Sequence, residues 1–160
     1  MSILILTTGG TIDKIYFDAL SEFQVGETQI GRLLQLGRVK MPVELRELMR
    51  KDSLELDDAD RATIREAVAG ASQDRIIITH GTDTMTDTAA ALAGIKDKAI
   101  VLVGALAPAR FTESDAPFNL GMAFATAQVA APGVYITMNG TVFAADKVVK
   151  DRERGEFVIR

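Results

Sequence analysis

The sequence contains no cysteine and a single histidine, His80, among its 160 residues. Disulfides, zinc thiolates and thiol catalysis are therefore excluded. So are a multi-histidine metal site and a Ser-His-Asp triad built on any other histidine. Positive charge is also scarce. Eighteen Lys and Arg stand against 22 Asp and Glu, for a formal net charge of -4, and no basic run stands out. That balance argues against non-specific nucleic-acid binding. The opening "MSILILTTGG" has no basic leader, and its apolar run is too short for a signal sequence or a membrane span. We therefore expect a cytoplasmic protein without nucleic-acid or membrane partners. Neither G-x-x-x-x-G-K-S/T nor G-x-G-x-x-G occurs, so the main phosphate fingerprints are missing.

What is present suits one ordinary domain: 48% hydrophobic and 25% charged residues, in a chain long enough for a real core. The runs "ILILTT" (3–8), "RIIITH" (75–80), "AIVLVGA" (99–105) and "GVYITMN" (133–139) are continuously apolar, as strands buried on both faces are. "VELREL" (43–48) fits a strand or a helical turn. Helical spacing occupies 28–37, 57–71, 83–94 and 116–131. Acidic residues open the second of these, and Pro117 lies near the start of the last. Strand-helix alternation predicts a single three-layer α/β domain with a mostly parallel, flavodoxin- or Rossmann-like sheet. The last 20 residues read as short extended segments around the charged turn "KDRERGE", either a hairpin or an edge for another subunit.

In such sheets ligands bind beyond the carboxyl ends of the strands. Two strand ends are rich in hydroxyls. In "TTGGT", Gly9 and Gly10 allow a sharp departure that would hold Thr11 out as a nucleophile. A lone TGGT is more often a plain turn. "THGTDTMTDTA" (79–89) places Thr82 or Asp83 where either could cap the next helix. Yet five threonines, at 79, 82, 84, 86 and 88, exceed what one cap needs. Two hydroxyl-rich strand ends in one small sheet should converge, which favours catalysis over a turn plus a cap. A threonine needs a proton acceptor, and Asp83 with either Lys147 or Lys150 could supply one. His80, before a glycine at a strand end, reads as a hydrogen-bonded structural residue. The acidic "ELDDAD" (55–60) lacks the spacing of a calcium loop and reads as a solvated helix start.

Together, "TTGGTIDK" and "THGTDTMTDTA" resemble the two signatures of the bacterial-type L-asparaginases, which hydrolyse asparagine to aspartate and ammonia. "DSLEL" (52–56), "VGALAP" (103–108), "SDAPFNL" (114–120) and "MNGTV" (138–142) match in the same order. The resemblance implies Thr11 as primary nucleophile and Thr82, Asp83 and Lys150 as a second cluster. It implies Ser53 at the substrate α-carboxylate, Asp83 also at the α-ammonium, and Gly81 and Ala105 as backbone contacts. Residues 1–160 then correspond to the family's N-terminal-type domain alone, without its smaller C-terminal domain. No cofactor is expected, the partner is free L-asparagine, and a homo-oligomer is implied.

The pattern departs at two places. The family's lid tyrosine falls near Phe23, which lacks a hydroxyl, and Tyr16 in the same 13–27 loop stands in for it as a catalytic candidate and lid residue. Leu54 stands where the family often has a polar contact. The alternatives to an asparagine amidohydrolase with weak or no glutaminase activity are a non-catalytic amino-acid-binding or regulatory domain and a nucleotide-binding module. The missing phosphate fingerprints disfavour the last.

Overall fold

Apolar side chains fill both faces of the central strands, so the sheet can only be stable with helices covering each side. The computed structural model describes residues 1–160 and shows this arrangement. Strand β1 (Ile3–Gly9) is buried at every position. A short hairpin follows, of β2 (Lys14–Phe17) and β3 (Glu22–Val25), and then α1 (Ile30–Leu36) and β4 (Val43–Lys51). The chain continues through α2 (Asp58–Ala69), β5 (Arg75–Thr79), α3 (Met85–Ala91), β6 (Ala99–Val103), α4 (Ala116–Val129) and β7 (Gly133–Met138). It ends with β8 (Thr141–Ala144), β9 (Val148–Asp151) and β10 (Glu156–Ile159).

The main sheet has the order β4-β1-β5-β6-β7-β8, parallel except for β8. Alternate side chains sort into two cores. Ile3, Ile5, Ile77, Val101 and Val103 face α1 and α4, packing on Ile30, Leu120, Ala123 and Phe124. Leu4, Leu6, Ile76, Ile78, Ile100 and Leu102 face α2 and α3, packing on Ile64, Val68, Met85 and Ala89. Each such aliphatic side chain contributes roughly 1.5–3 kcal/mol by burial. Helix α2 starts on a reciprocal capping box between Asp57 and Asp60, which accounts for the acidic cluster without a metal.

The ambiguous 43–48 segment is an edge strand. It is paired only with β1 and leaves Glu44, Arg46, Glu47 and Arg50 exposed or half-exposed, which defeats a simple apolar pattern. The 13–27 loop is likewise more ordered than a loop, since 14–17 and 22–25 pair in register as β2 and β3. At the other end, β9 and β10 form an antiparallel hairpin around 152–155.

Strand order reverses between β1 and β5: the chain leaves β1 to build β4 on one side, then returns to build β5 on the other. Thr7 is level with Thr79, Thr79 with Val103, and Val103 with Thr137, so the carboxyl ends finish in one row. The crevice beyond the β1 and β5 ends is where such a sheet receives a ligand.

Candidate active site

The chain leaves β1 through two residues with positive φ, Gly9 at 107° and Gly10 at 86°, which a side chain would strain. A Cβ at Gly10 would overlap the backbone of Gly81, coming within 2.6 Å of its Cα. The end of β1 therefore lies directly against the segment that follows β5. Gly81 is glycine for a related reason, because a Cβ there would fall 2.6 Å from Ser53 Cβ and 2.7 Å from Ser53 Oγ. Close packing at these two glycines draws the Thr11, Ser53 and Thr82 segments into one crevice.

Neither Thr82 nor Asp83 caps α3. The helix starts at Met85 after Thr84, with no side-chain cap, and Thr84 Oγ1 instead donates to the Ser53 carbonyl at 2.8 Å. The capping expectation is corrected because Thr82 and Asp83 are engaged elsewhere. Lys150, on β9, donates from Nζ to Thr82 Oγ1 at 2.7 Å and to Asp83 Oδ1 at 2.5 Å. Its side chain is only 12% exposed, so this contact is largely shielded from water. Lys147 lies outside the cluster, in the turn before β9, where its carbonyl accepts from the Arg160 N–H. The N–H groups of Gly81, Thr82 and Asp83 donate to no protein acceptor.

His80 is wholly buried beneath this turn. Its Nδ1 lies 2.6 Å from the Gly81 carbonyl, which only accepts, so Nδ1 carries the proton and Nε2 accepts from the Thr88 hydroxyl at 2.7 Å. Burial presses its pKa down to about 4, against a smaller raising effect of the Gly81 bond. A neutral imidazole with both nitrogens occupied fixes the Gly81 peptide and moves no proton.

Asp13 is also buried, accepting from Gln29 N at 2.8 Å and Thr28 Oγ1 at 3.2 Å. Burial raises its pKa to about 6, against those two bonds. Its own carbonyl accepts from Gly26 N and closes the base of the hairpin. Tyr16 stands opposite Phe23 in that hairpin, with ring centroids 5.3 Å apart, and Phe23 stacks edge-on to Phe111 at 5.8 Å. The three rings pack on one another near the surface, with Tyr16 51% exposed. No hydrogen bond or ring contact joins Tyr16 to Thr11, Thr82, Asp83 or Lys150. Lys14 pairs with Asp52 at 2.9 Å, tying the hairpin to the loop that carries Ser53. Leu54, on that loop, is exposed.

Ala105 is buried just beyond β6. The residues around it reveal a part of the site that sequence reasoning missed. Asp115, Asn119 and Asn139 form one polar network joining the loop after β6 to the turn after β7. The available signal was Asn119, a carboxamide in the apolar first half of α4, four residues after an aspartate.

A cavity of about 700 Å³ lies elsewhere, between α3, residues 144–149 and Arg160, and includes none of Thr11, Ser53, Thr82 or Lys150.

Residues 2–155 match the family model described as "Asparaginase, N-terminal". The chain is 33% identical over 161 residues to an L-asparaginase of Thermococcus kodakarensis, covering 97% of this chain and 49% of that protein. It is 35% identical to L-asparaginase 2 of Escherichia coli, over 93% of this chain and 46% of the relative. The solved structure of the thermostable Thermococcus kodakarensis L-asparaginase superposes with a TM-score of 0.81 at 31% identity, covering 94% of this chain and 48% of that one. The chain spans about half the length of the relatives it matches.

Proposed function

We propose a function from one premise: the chain belongs to the asparaginase family, matching its N-terminal domain. The reaction is hydrolysis of the side-chain amide of free L-asparagine to L-aspartate and ammonia. The observation that carries this reading is the Lys150 amine resting on both Thr82 and Asp83, 67 to 68 residues away in sequence. It does so on the same crevice floor where Gly10 backs onto Gly81.

In this scheme Thr11 Oγ1 attacks the side-chain amide carbon, and its proton passes to the amide nitrogen as the C–N bond breaks and ammonia leaves. The acyl group is then an ester on Thr11. Water attacks that ester and passes its proton through the Thr82 hydroxyl, which Lys150 holds, to Thr11 Oγ1, which leaves the acyl carbon as the free hydroxyl with aspartate as product. The unpaired N–H groups of Gly81, Thr82 and Asp83 are suited to receive the oxyanion in both halves. Ser53 meets the substrate α-carboxylate. Asp83 meets the α-ammonium with the oxygen that Lys150 leaves free, and the Gly81 and Ala105 backbones line the sides. Tyr16 lies on the hairpin beside the crevice and shields it when substrate is bound. Only protein groups and water take part.

Self-association belongs to the same proposal, with the β9–β10 hairpin as an available edge. A light-scattering mass equal to one chain opposes it.

Ammonia release from L-asparagine by the purified protein tests the activity. Thr11→Ala, Thr82→Val and Lys150→Met should each lower kcat by at least about 100-fold, the span of lost nucleophilic or acid-base assistance. Wild-type rates in all three variants would refute the mechanism. Tight binding of asparagine without turnover would support a binding or regulatory domain instead.

A further inference from the structure

Asp115 occupies the residue before α4, where an aspartate ordinarily accepts from the first helical N–H groups. Here it caps nothing in the helix. Ser114 Oγ takes over that work, accepting from Ala116 N at 3.0 Å. The Asp115 carboxylate turns away, toward the strand ends. Both its oxygens accept from Leu106 N at 3.0 Å, and Oδ1 also accepts from Ala107 N at 3.0 Å. Oδ2 accepts from Asn119 Nδ2 at 3.0 Å and from Asn139 Nδ2 at 2.8 Å.

Every partner of this carboxylate is an N–H donor, and none is a cation. Asn119, fully buried, completes the arrangement: Nδ2 donates to the Gly104 carbonyl at 2.9 Å and Oδ1 accepts from Asn139 N at 3.0 Å. Asn139 adopts a left-handed φ of 47°, a conformation that these bonds hold in place. The network grips both flanks of Ala105, through Gly104 on one side and Leu106 on the other. Gly104 in turn packs on the catalytic turn, where an added Cβ would lie 3.3 Å from Thr82 Cγ2 and 2.5 Å from the His80 carbonyl.

We propose that Asp115 is a positioning residue, whose carboxylate shapes the Gly104–Ala107 segment so that the Ala105 backbone meets the substrate beside Thr82. This rests on the asparaginase reading of the crevice. Only an acceptor with two oxygens can serve these donors at once. The isosteric Asp115→Asn replaces one oxygen by an amino group that faces N–H donors, and the segment loses part of its hold.

The experiment compares wild type, Asp115→Asn, Asp115→Glu and Arg75→Ala for kcat and KM on L-asparagine, thermal stability, and hydrogen exchange of the 104–107 amides. Arg75 bonds the Ala127 and Ala130 carbonyls at the far end of α4 and serves as a control for stability loss alone. Lost folded protein lowers apparent kcat but leaves KM alone, so KM is the discriminating quantity. Asp115→Asn should raise KM about tenfold, the size of one lost hydrogen bond, with faster exchange at Leu106 and Ala107. Asp115→Glu, which keeps both oxygens, should restore part of the KM. Arg75→Ala should lose stability with KM within about twofold of wild type. An unchanged KM in Asp115→Asn, or a change no larger than that of Arg75→Ala, overturns the proposal. An inactive wild type instead sinks the asparaginase reading, and Asp115 loses its proposed task with it.

Discussion

At Gly10 the chain packs on the Gly81 backbone and Gly81 packs on Ser53, with no room for a Cβ at either, whereas the β2–β3 hairpin beside them leans on its own side chains. The first region has no room for change: a Cβ at either glycine collides with main chain or with Ser53. The second is tied down by the ion pair of Lys14 with Asp52, the edge-on ring contact of Phe23 with Phe111, the closing bond at Asp13 and the approach of Val25 to Gly9. Exposed ion pairs contribute little, and a pair of aromatic rings about 0.5–1.5 kcal/mol beyond its buried area. The lesson is a division of labour. The proposed reacting groups sit on a floor with no room for an added side chain, and the hairpin proposed to shield them is held by contacts of small individual energy.

Breaking the floor should have the largest effect. Gly10→Ala imposes a left-handed backbone on alanine, costing about 1–3 kcal/mol, in addition to the overlap with Gly81. Ammonia release should fall by more than about 100-fold, because small displacements of a reacting group carry such factors. A denaturant melt and an asparagine assay on the same sample check both. Near-wild-type activity would mean that the Gly10–Gly81 contact does not set the geometry.

The joint between the two regions gives the next effect. Asp13 has its pKa raised to about 6 by burial, so its folded form binds the proton more tightly than the unfolded chain does. Its contribution to stability is therefore gained as pH falls through about 6 and is complete below the ordinary value of 3.8. His80, lowered to about 4, works in reverse: acidification below 6.5 protonates the unfolded chain first, and stability is lost down to about 4. The two oppose each other across one window, each on the order of 3 kcal/mol. Wild-type stability should thus change less from pH 6.5 to 4.5 than the His80 shift alone would give. Asp13→Asn unmasks His80 and should lose on the order of 2 kcal/mol over the same range. Urea unfolding at several pH values decides, and a flat profile in the variant would contradict the pairing.

Loosening the hairpin should have the smallest effect. Phe111→Ala removes the ring contact with Phe23 and should cost about 1 kcal/mol. Amides of 14–25 should exchange faster while those of 81–83 stay unchanged. Equal acceleration in both segments would erase the distinction between floor and flap.

The same contrast explains what was legible in the sequence. β5 and β6 are unbroken apolar runs because both faces are buried, and their pattern has no rival interpretation. β4 alternates charge with leucine along an open edge, where a helical turn fits equally well. β2 and β3 are four residues each and mostly exposed, so no core demands a pattern of them. At the site, Thr11, Thr82 and Asp83 stood out as hydroxyls and a carboxylate at strand ends. Choosing Lys150 over Lys147 needed the family spacing, since only the fold shows that β9 climbs back toward Thr82 while residue 147 remains in a turn. Asp115 and Asn119 fell in the matched segment 114–120 and Asn139 at the end of the 133–139 strand run, with nothing in the sequence to link them. Their shared hydrogen bonds exist only where the fold brings the start of α4, the loop after β6 and the turn after β7 together.

The most direct test of the converging bends is intact-protein and peptide mass spectrometry of Thr82→Val after incubation with L-asparagine. With the second cluster disabled, the ester should accumulate, and the account predicts an added aspartyl group on the peptide that contains Thr11. An adduct on any other residue, or unchanged Thr11 in a protein that still releases ammonia, would contradict it.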